Sequence, residues 1–97
     1  MIHGCTEFLK LIFTTMFFVY LLKSLKDNKY YIGQTENIER RLEQHNAGKN
    51  KSTKNRKPFV LIGRECYKTR NESRFREYEL KKYPRKKKIF IDKFLNK

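Results

Sequence analysis

Two apolar runs near the start of the chain, Phe17 to Lys23 and Tyr30 to Ile32, flank a polar stretch centred on Asp27-Asn28. Both runs are rich in β-branched and aromatic side chains and the pair between them suits a turn, so the sequence predicts a β-hairpin. Antiparallel pairing is thereby set within the first third of the chain. Gly33 ends the second strand. Asn37 then offers an N-cap for a helix from Ile38 to Ala47, in which Ile38 and Leu42 fall one turn apart and Gly48 closes the end. Residues 49 to 57 have no apolar side chain and predict a solvated, cationic loop. Pro58 leads into a third strand, FVLIGRECY, with a bulge expected at Gly63. Thr69 and Glu72 have the spacing of a capping box, which opens a second helix that runs to Lys82 and is stopped by Pro84. After the PRKKK turn, Ile89, Phe90, Ile91, Phe94 and Leu95 pair at helical spacing, giving a short C-terminal helix. The order β-β-α-β-α-α is an α/β arrangement, and 97 residues suffice for one core. A functional site therefore lies on the surface of that core.

Charge narrows the partner. Lys and Arg number 24 against 10 Asp and Glu, a formal net charge of +14, and the cations are spread along the chain rather than gathered in a tail. A polyanion is expected, and nucleic acid leads because neutralising phosphates releases counterions without any reading of bases. Lys49, Lys51, Lys54, Arg56 and Lys57 are the expected phosphate contacts. The apolar run from Phe8 to Leu22 is interrupted by Lys10, Thr14 and Thr15 and is shorter than the roughly 20 residues that cross a bilayer. Without a basic start or a small-residue cleavage site it is not a secretory signal either. No membrane partner is expected, and the chain reads as cytoplasmic. Residues 1 to 15 read as an N-terminal extension to a domain spanning 16 to 97. Cys5 and Cys66 lack CxxC spacing and a nearby His cluster, so they suggest reduced thiols rather than a zinc site or a redox motif.

The side chains able to do chemistry are Tyr20, Tyr30 and Tyr31 on the hairpin, Arg41 and His45 on the first helix, and Glu77 on the second. Each has an ordinary reading. The tyrosines fit half-buried strand aromatics, and Arg41 and His45, four apart, fit a solvated helix face. Glu77 is less ordinary, since it shares a stripe with Ser73 and Leu80, where a purely solvent-facing carboxylate is out of place. Together they supply what phosphodiester hydrolysis needs: a metal-binding carboxylate, a cation for phosphate, and groups that handle protons.

Phe18-Val19-Tyr20, then Tyr31-Ile32-Gly33, Gln34-Thr35, Arg40-Arg41-Leu42 and His45-Asn46 resemble the signature of the GIY-YIG nuclease superfamily, and TRNESRFREYELKK resembles its second helix. The similarity is to the small stand-alone branch related to the N-terminal nuclease domain of the excision-repair subunit UvrC. Phe18 stands in place of the first Gly, and Gln34 stands where the repair subunit carries a Lys. The resemblance implies a small three-stranded antiparallel sheet flanked by helices. It also implies a DNA endonuclease, directed by structure rather than sequence and linked to repair, that needs no small-molecule cofactor. Tyr20, Tyr31, Arg41, His45 and Glu77 would be its catalytic residues, with Glu77 holding one Mg²⁺ or Mn²⁺ ion. DNA is expected ahead of RNA. The rival reading is a non-catalytic basic DNA- or RNA-binding module that keeps the fold.

Overall fold

The structure, a computed structural model, describes residues 15–95. Its elements are β1 (Phe17–Ser24), β2 (Tyr30–Thr35), α1 (Ile38–Asn46), a 3₁₀ turn (Lys54–Arg56), β3 (Phe59–Tyr67), α2 (Arg70–Lys82) and α3 (Pro84–Leu95). The strands form one antiparallel sheet in the order β2-β1-β3. This is the α/β architecture expected from the sequence, with the same element order.

β1 is the centre of the molecule because it is apolar on both faces. Phe18, Tyr20 and Leu22 point to one side and pack with Ile38 of α1 and with Phe59. Val19 and Leu21 point to the other and meet Leu80 of α2 and Phe90 of α3. All of these side chains are buried. Many antiparallel sheets wet one face; here helices cover both. The apolar run read as too short for a membrane span therefore ends in a central strand, and among the described residues no helix is long and apolar enough to cross a membrane.

The local signals behave as expected at the helix starts. The Asn37 side chain accepts from the Arg40 amide at 3.0 Å, and Thr69 and Glu72 close a reciprocal capping box at 3.1 and 3.2 Å. Asn28 takes a left-handed backbone at φ 61° in the hairpin turn, a conformation that Asn tolerates better than most residues.

Four departures have physical causes. The register of β1 against β3 slips between Leu21 and Leu22, which leaves Ile62 rather than Gly63 as the extra residue. Gly63 is instead the place where the Phe94 ring lies directly on the sheet, so that a Cβ there would overlap the ring. Pro84 begins α3 rather than only ending α2, since a first-turn residue needs no amide hydrogen. The cationic loop is not wholly solvated. Buried Ser24 accepts from the Lys26 and Asp27 amides and donates to the Arg56 carbonyl, and Arg56 pairs with Asp27 at 2.8 Å. Cys66 also differs from expectation, being disulfide-bonded rather than a free thiol.

Gly63→Ala is expected to destabilise the fold by about 1–3 kcal/mol through overpacking against Phe94. Urea unfolding followed by far-UV circular dichroism measures it. Because the two residues share one contact, the double variant with Phe94→Ala should lose less than the sum of the single losses. Strict additivity would mean that the ring does not sit on Gly63.

Candidate active site

Cross-strand pairing places Tyr20 opposite Gly33 and Leu22 opposite Tyr31, so both tyrosines face α1. The Tyr20 ring runs across its partner, and a Cβ on Gly33 would overlap the phenol. Glycine at that position is thus a requirement of the buried tyrosine beside it. His45, in the last turn of α1, has no exposed surface and lies edge-on to both rings, with centroid separations of 6.1 Å to Tyr20 and 5.0 Å to Tyr31. Asn46 fixes the end of this helix to β3: its side chain accepts from the Phe59 amide at 2.6 Å and donates to the Phe59 carbonyl at 3.1 Å.

A chain of buried hydrogen bonds runs through His45. Its Nε2 lies 3.1 Å from the Tyr20 hydroxyl and its Nδ1 lies 2.8 Å from the hydroxyl of Thr53, itself fully buried. The Thr53 hydroxyl also reaches the Asn50 carbonyl at 3.5 Å, which can only accept. A Thr53 hydroxyl that donates to Asn50 can accept from Nδ1–H, and Nε2 is then the acceptor for the Tyr20 proton. Burial, reinforced by nearby Arg41, lowers the His45 pKa to about 4. The imidazole is neutral at physiological pH. Burial is also the main reason that the Tyr20 pKa is pushed up to about 12; Tyr31 and Glu77 add to the rise, while the charge and a hydrogen bond of Arg41 oppose it.

Arg41 is the hinge between this buried chain and solvent. It is half-buried, bonds Gln44 at 3.0 Å, and lines a concavity of about 350 Å³ with Gln44, Lys49, Asn50 and Lys51. Arg40, one residue earlier, is exposed. Glu77 has a side chain 26% exposed and pairs with Lys81 at 2.9 Å, and the Lys81 ammonium sits 5.4 Å from the centre of the Tyr31 ring. Tyr20, Tyr31, Arg41 and His45 thus form one cluster, and Glu77 is close enough to act on Tyr20 electrostatically. Gln34, where a cation would be sought, is a neutral amide whose Nε2 is buried without an acceptor among the described residues.

The cationic loop divides. Lys49, Lys51, Lys54 and Lys57 are exposed and available to phosphate. Arg56 is turned inward, pairing with Asp27 and stacking 5.5 Å from the Phe59 ring centre, so it ties the loop to the hairpin. Sequence reasoning missed two contributors. Lys81 was legible, since Lys one turn after Glu is a common helical pair. Thr53 was not, because nothing local separates it from the other polar residues of its loop.

A metal fits Glu77 in one manner only. Among the described residues no group of three or more His, Cys, Asp or Glu is placed to cage an ion. Mg²⁺, however, commonly keeps several waters and takes one or two carboxylates with substrate phosphates. A single carboxylate beside a phosphate-binding surface is compatible with that chemistry, provided that Lys81 releases it.

Residues 16–89 match the family model described as the GIY-YIG catalytic domain. A UPF0213 protein of Staphylococcus haemolyticus is 45% identical over 73 residues, which cover 74% of this chain and 88% of the relative. A UPF0213 protein of Staphylococcus aureus is 42% identical over 77 residues, 78% of this chain and 93% of that one. The solution structure of a UPF0213 protein from Bacillus halodurans is 35% identical, covers 78% of this chain and 81% of its own, and superposes with a TM-score of 0.48.

The neutral His45 makes stability fall on acidification in a window of its own. Its pKa is about 4 folded and about 6.5 in an open chain, so the unfolded state takes up a proton first as pH falls. Stability is full above pH 6.5 and declines towards pH 4, by about 1.4 kcal/mol per unit at most. The stability that Asp27 and Glu65 contribute, both held near 2, is intact across this window and is lost only as pH falls below the ordinary carboxylate range. Urea midpoints between pH 7.5 and 5 should fall for the native protein and change less for His45→Gln. Parallel curves would show that His45 is not buried neutral.

Proposed function

Because the chain belongs to the GIY-YIG catalytic-domain family, a nuclease family, we propose that it is a metal-dependent endonuclease that hydrolyses phosphodiester bonds in DNA, chosen by structure rather than by sequence. The observation that carries this reading is the joining of a buried Tyr20–His45–Thr53 hydrogen-bond chain to Arg41 at the wall of a cationic concavity. A module that only held nucleic acid by charge would need exposed lysines, not a phenol and an imidazole kept neutral inside the protein.

Each residue has a task that its surroundings suit. Arg41 holds a non-bridging phosphate oxygen, where the planar guanidinium makes two parallel bonds. Tyr20 is far too weak an acid to ionise unaided at neutral pH. With its proton directed to His45 Nε2, its oxygen is left to accept from the attacking water and from Arg41. His45 stays neutral and so remains an acceptor. Tyr31 covers the imidazole and shields it from bulk water. Glu77 would hold one Mg²⁺ or Mn²⁺, which when bound supplies Lewis acidity towards the phosphate. The exposed lysines of residues 49 to 57 hold the flanking backbone. With no separate recognition domain within the matched region, backbone contacts position the substrate without specifying bases. Cytoplasmic repair of DNA is the setting this reading suits.

The rival binding-only reading has one observation in its favour, the Lys81 ammonium on the carboxylate that a metal would need. Glu77→Gln is the test. Metal-dependent cleavage of supercoiled plasmid and branched DNA should disappear while DNA affinity stays within a few fold. Cleavage at the native rate would remove Glu77 as the ligand, and absence of any cleavage by the native protein across divalent metals would favour the binding module.

Arg41 and Arg40 separate catalysis from charge. They differ by about 100° around α1, and only Arg41 reaches Tyr20 and the concavity. Arg41→Lys should lower turnover on the order of 10²- to 10³-fold with little loss of binding, since a preorganised two-pronged donor is lost while the charge is kept. Arg40→Lys should change neither. Equal, small effects of both on cleavage would show that α1 contributes charge alone.

A further inference from the structure

Large aromatic side chains stand in water on the outer side of α2, away from the core. Phe75 is 61% exposed and Tyr78 51%, and their ring centres are 6.4 Å apart. Tyr83, at the junction with α3, is 44% exposed. Lysines alternate with these rings. The Lys82 ammonium lies 5.4 Å from the Tyr78 centroid and 5.7 Å from that of Tyr83, and Lys86 lies 5.4 Å from Tyr83 on the far side. Lys82 also donates to the Tyr78 hydroxyl at 2.9 Å, which fixes the orientation of that ring.

None of this is required by the fold. The inward face of α2 is formed by Ser73 and Leu80, and burial of Phe90 completes that side of the core. Carboxylates neutralise only part of the strip's charge. Glu77 is paired with Lys81, and Glu79 with Arg76 and Lys86. Arg74, Lys82, Arg85 and Lys87 enter no ion pair among the described residues. The surface therefore carries flat apolar rings with the uncompensated Lys82 between Tyr78 and Tyr83.

We propose that this face, Phe75, Tyr78 and Tyr83 with Lys82, is a stacking platform for single-stranded nucleic acid. Unpaired bases stack on exposed rings while the intervening lysine meets the phosphates, a combination that tolerates any base sequence. A duplex keeps its bases inside and could use only the charge. From Phe75 to Tyr83 the helix rises about 12 Å, room for about three to four nucleotides of a stacked strand. On the helical wheel Tyr78 follows Glu77 by about 100°, with Lys81 and Arg74 between them, so a strand leaving the candidate active site would pass around α2 onto the rings. The platform deepens the proposed function by assigning it substrates with an unpaired arm, and in that respect it rests on that reading.

Binding rather than cleavage tests it, so an inactive enzyme leaves the test intact. Fluorescence anisotropy would compare a labelled oligothymidylate of ten nucleotides with a duplex of equal length, using the full chain at fixed low salt. Tyr78→Ala and Phe75→Ala should each weaken single-strand binding about tenfold, within the range expected for loss of one stacked base, and change duplex binding less than twofold. Tyr78→Phe should bind as the native protein does. Lys82→Ala should make the single-strand salt dependence shallower by about 0.7 in slope. Equal losses on both substrates, or no loss on the single strand, would overturn the proposal. So would sedimentation showing a native dimer that Tyr78→Ala dissociates, because the rings would then be a contact between copies of the chain.

Discussion

The double-sided burial of β1 is the constraint on which the rest depends. A strand whose alternate residues are all apolar or aromatic cannot lie at a wet edge, so it takes the centre with β2 and β3 on its flanks and helices over both faces. Tyr20 is carried inward by this arrangement simply because it occupies the even-numbered face between Phe18 and Leu22. A phenol so placed must find a partner or carry the cost of an unsatisfied hydroxyl. His45 is that partner. The imidazole in turn needs an acceptor for its second nitrogen, which Thr53 provides. The chemistry of the candidate site is in this sense the settlement of polar groups that packing forces into the core.

Electrostatics then acts in two layers. Inside, low polarity keeps both Tyr20 and His45 uncharged, the first with its pKa near 12 and the second near 4. Outside, the net excess of Lys and Arg attracts a polyanion, and Arg41 bridges the layers. The opposite side of the molecule follows another rule. Burial by itself would raise the pKa of Glu65, but hydrogen bonds from Arg76, Lys93 and Tyr67 outweigh it and hold the carboxyl near 2. That knot joins β3, α2 and α3, and thereby fixes the helix that carries Glu77. One set of charged groups is tied up in ion pairs and another is left unpaired at the surface among the described residues.

Much of this was legible in the residues themselves. Turn chemistry at Asp27-Asn28, the Asn37 cap, the Thr69–Glu72 box and the β-branched and aromatic content of β1 each encode local backbone geometry, and such signals need only neighbours in sequence. The spacing of Tyr20, Tyr31, Arg41, His45 and Glu77 pointed to one cluster through resemblance. The start of α3 at Pro84 was missed because proline can close one helix and open the next. The bulge falls one residue before Gly63, whose missing side chain instead makes room for the ring of Phe94, some thirty positions away.

What the sequence determined by itself was the element order and the cationic character, set by local propensity and composition, while resemblance supplied the candidate site residues. Tertiary structure alone decided which of those side chains are charged and where they point. Arg56 became a tie to Asp27, Thr53 became a buried hydrogen-bond partner of His45, and Lys81 came to rest on Glu77. Desolvation and hydrogen-bond partners arise only when distant segments meet, and no window of sequence contains them.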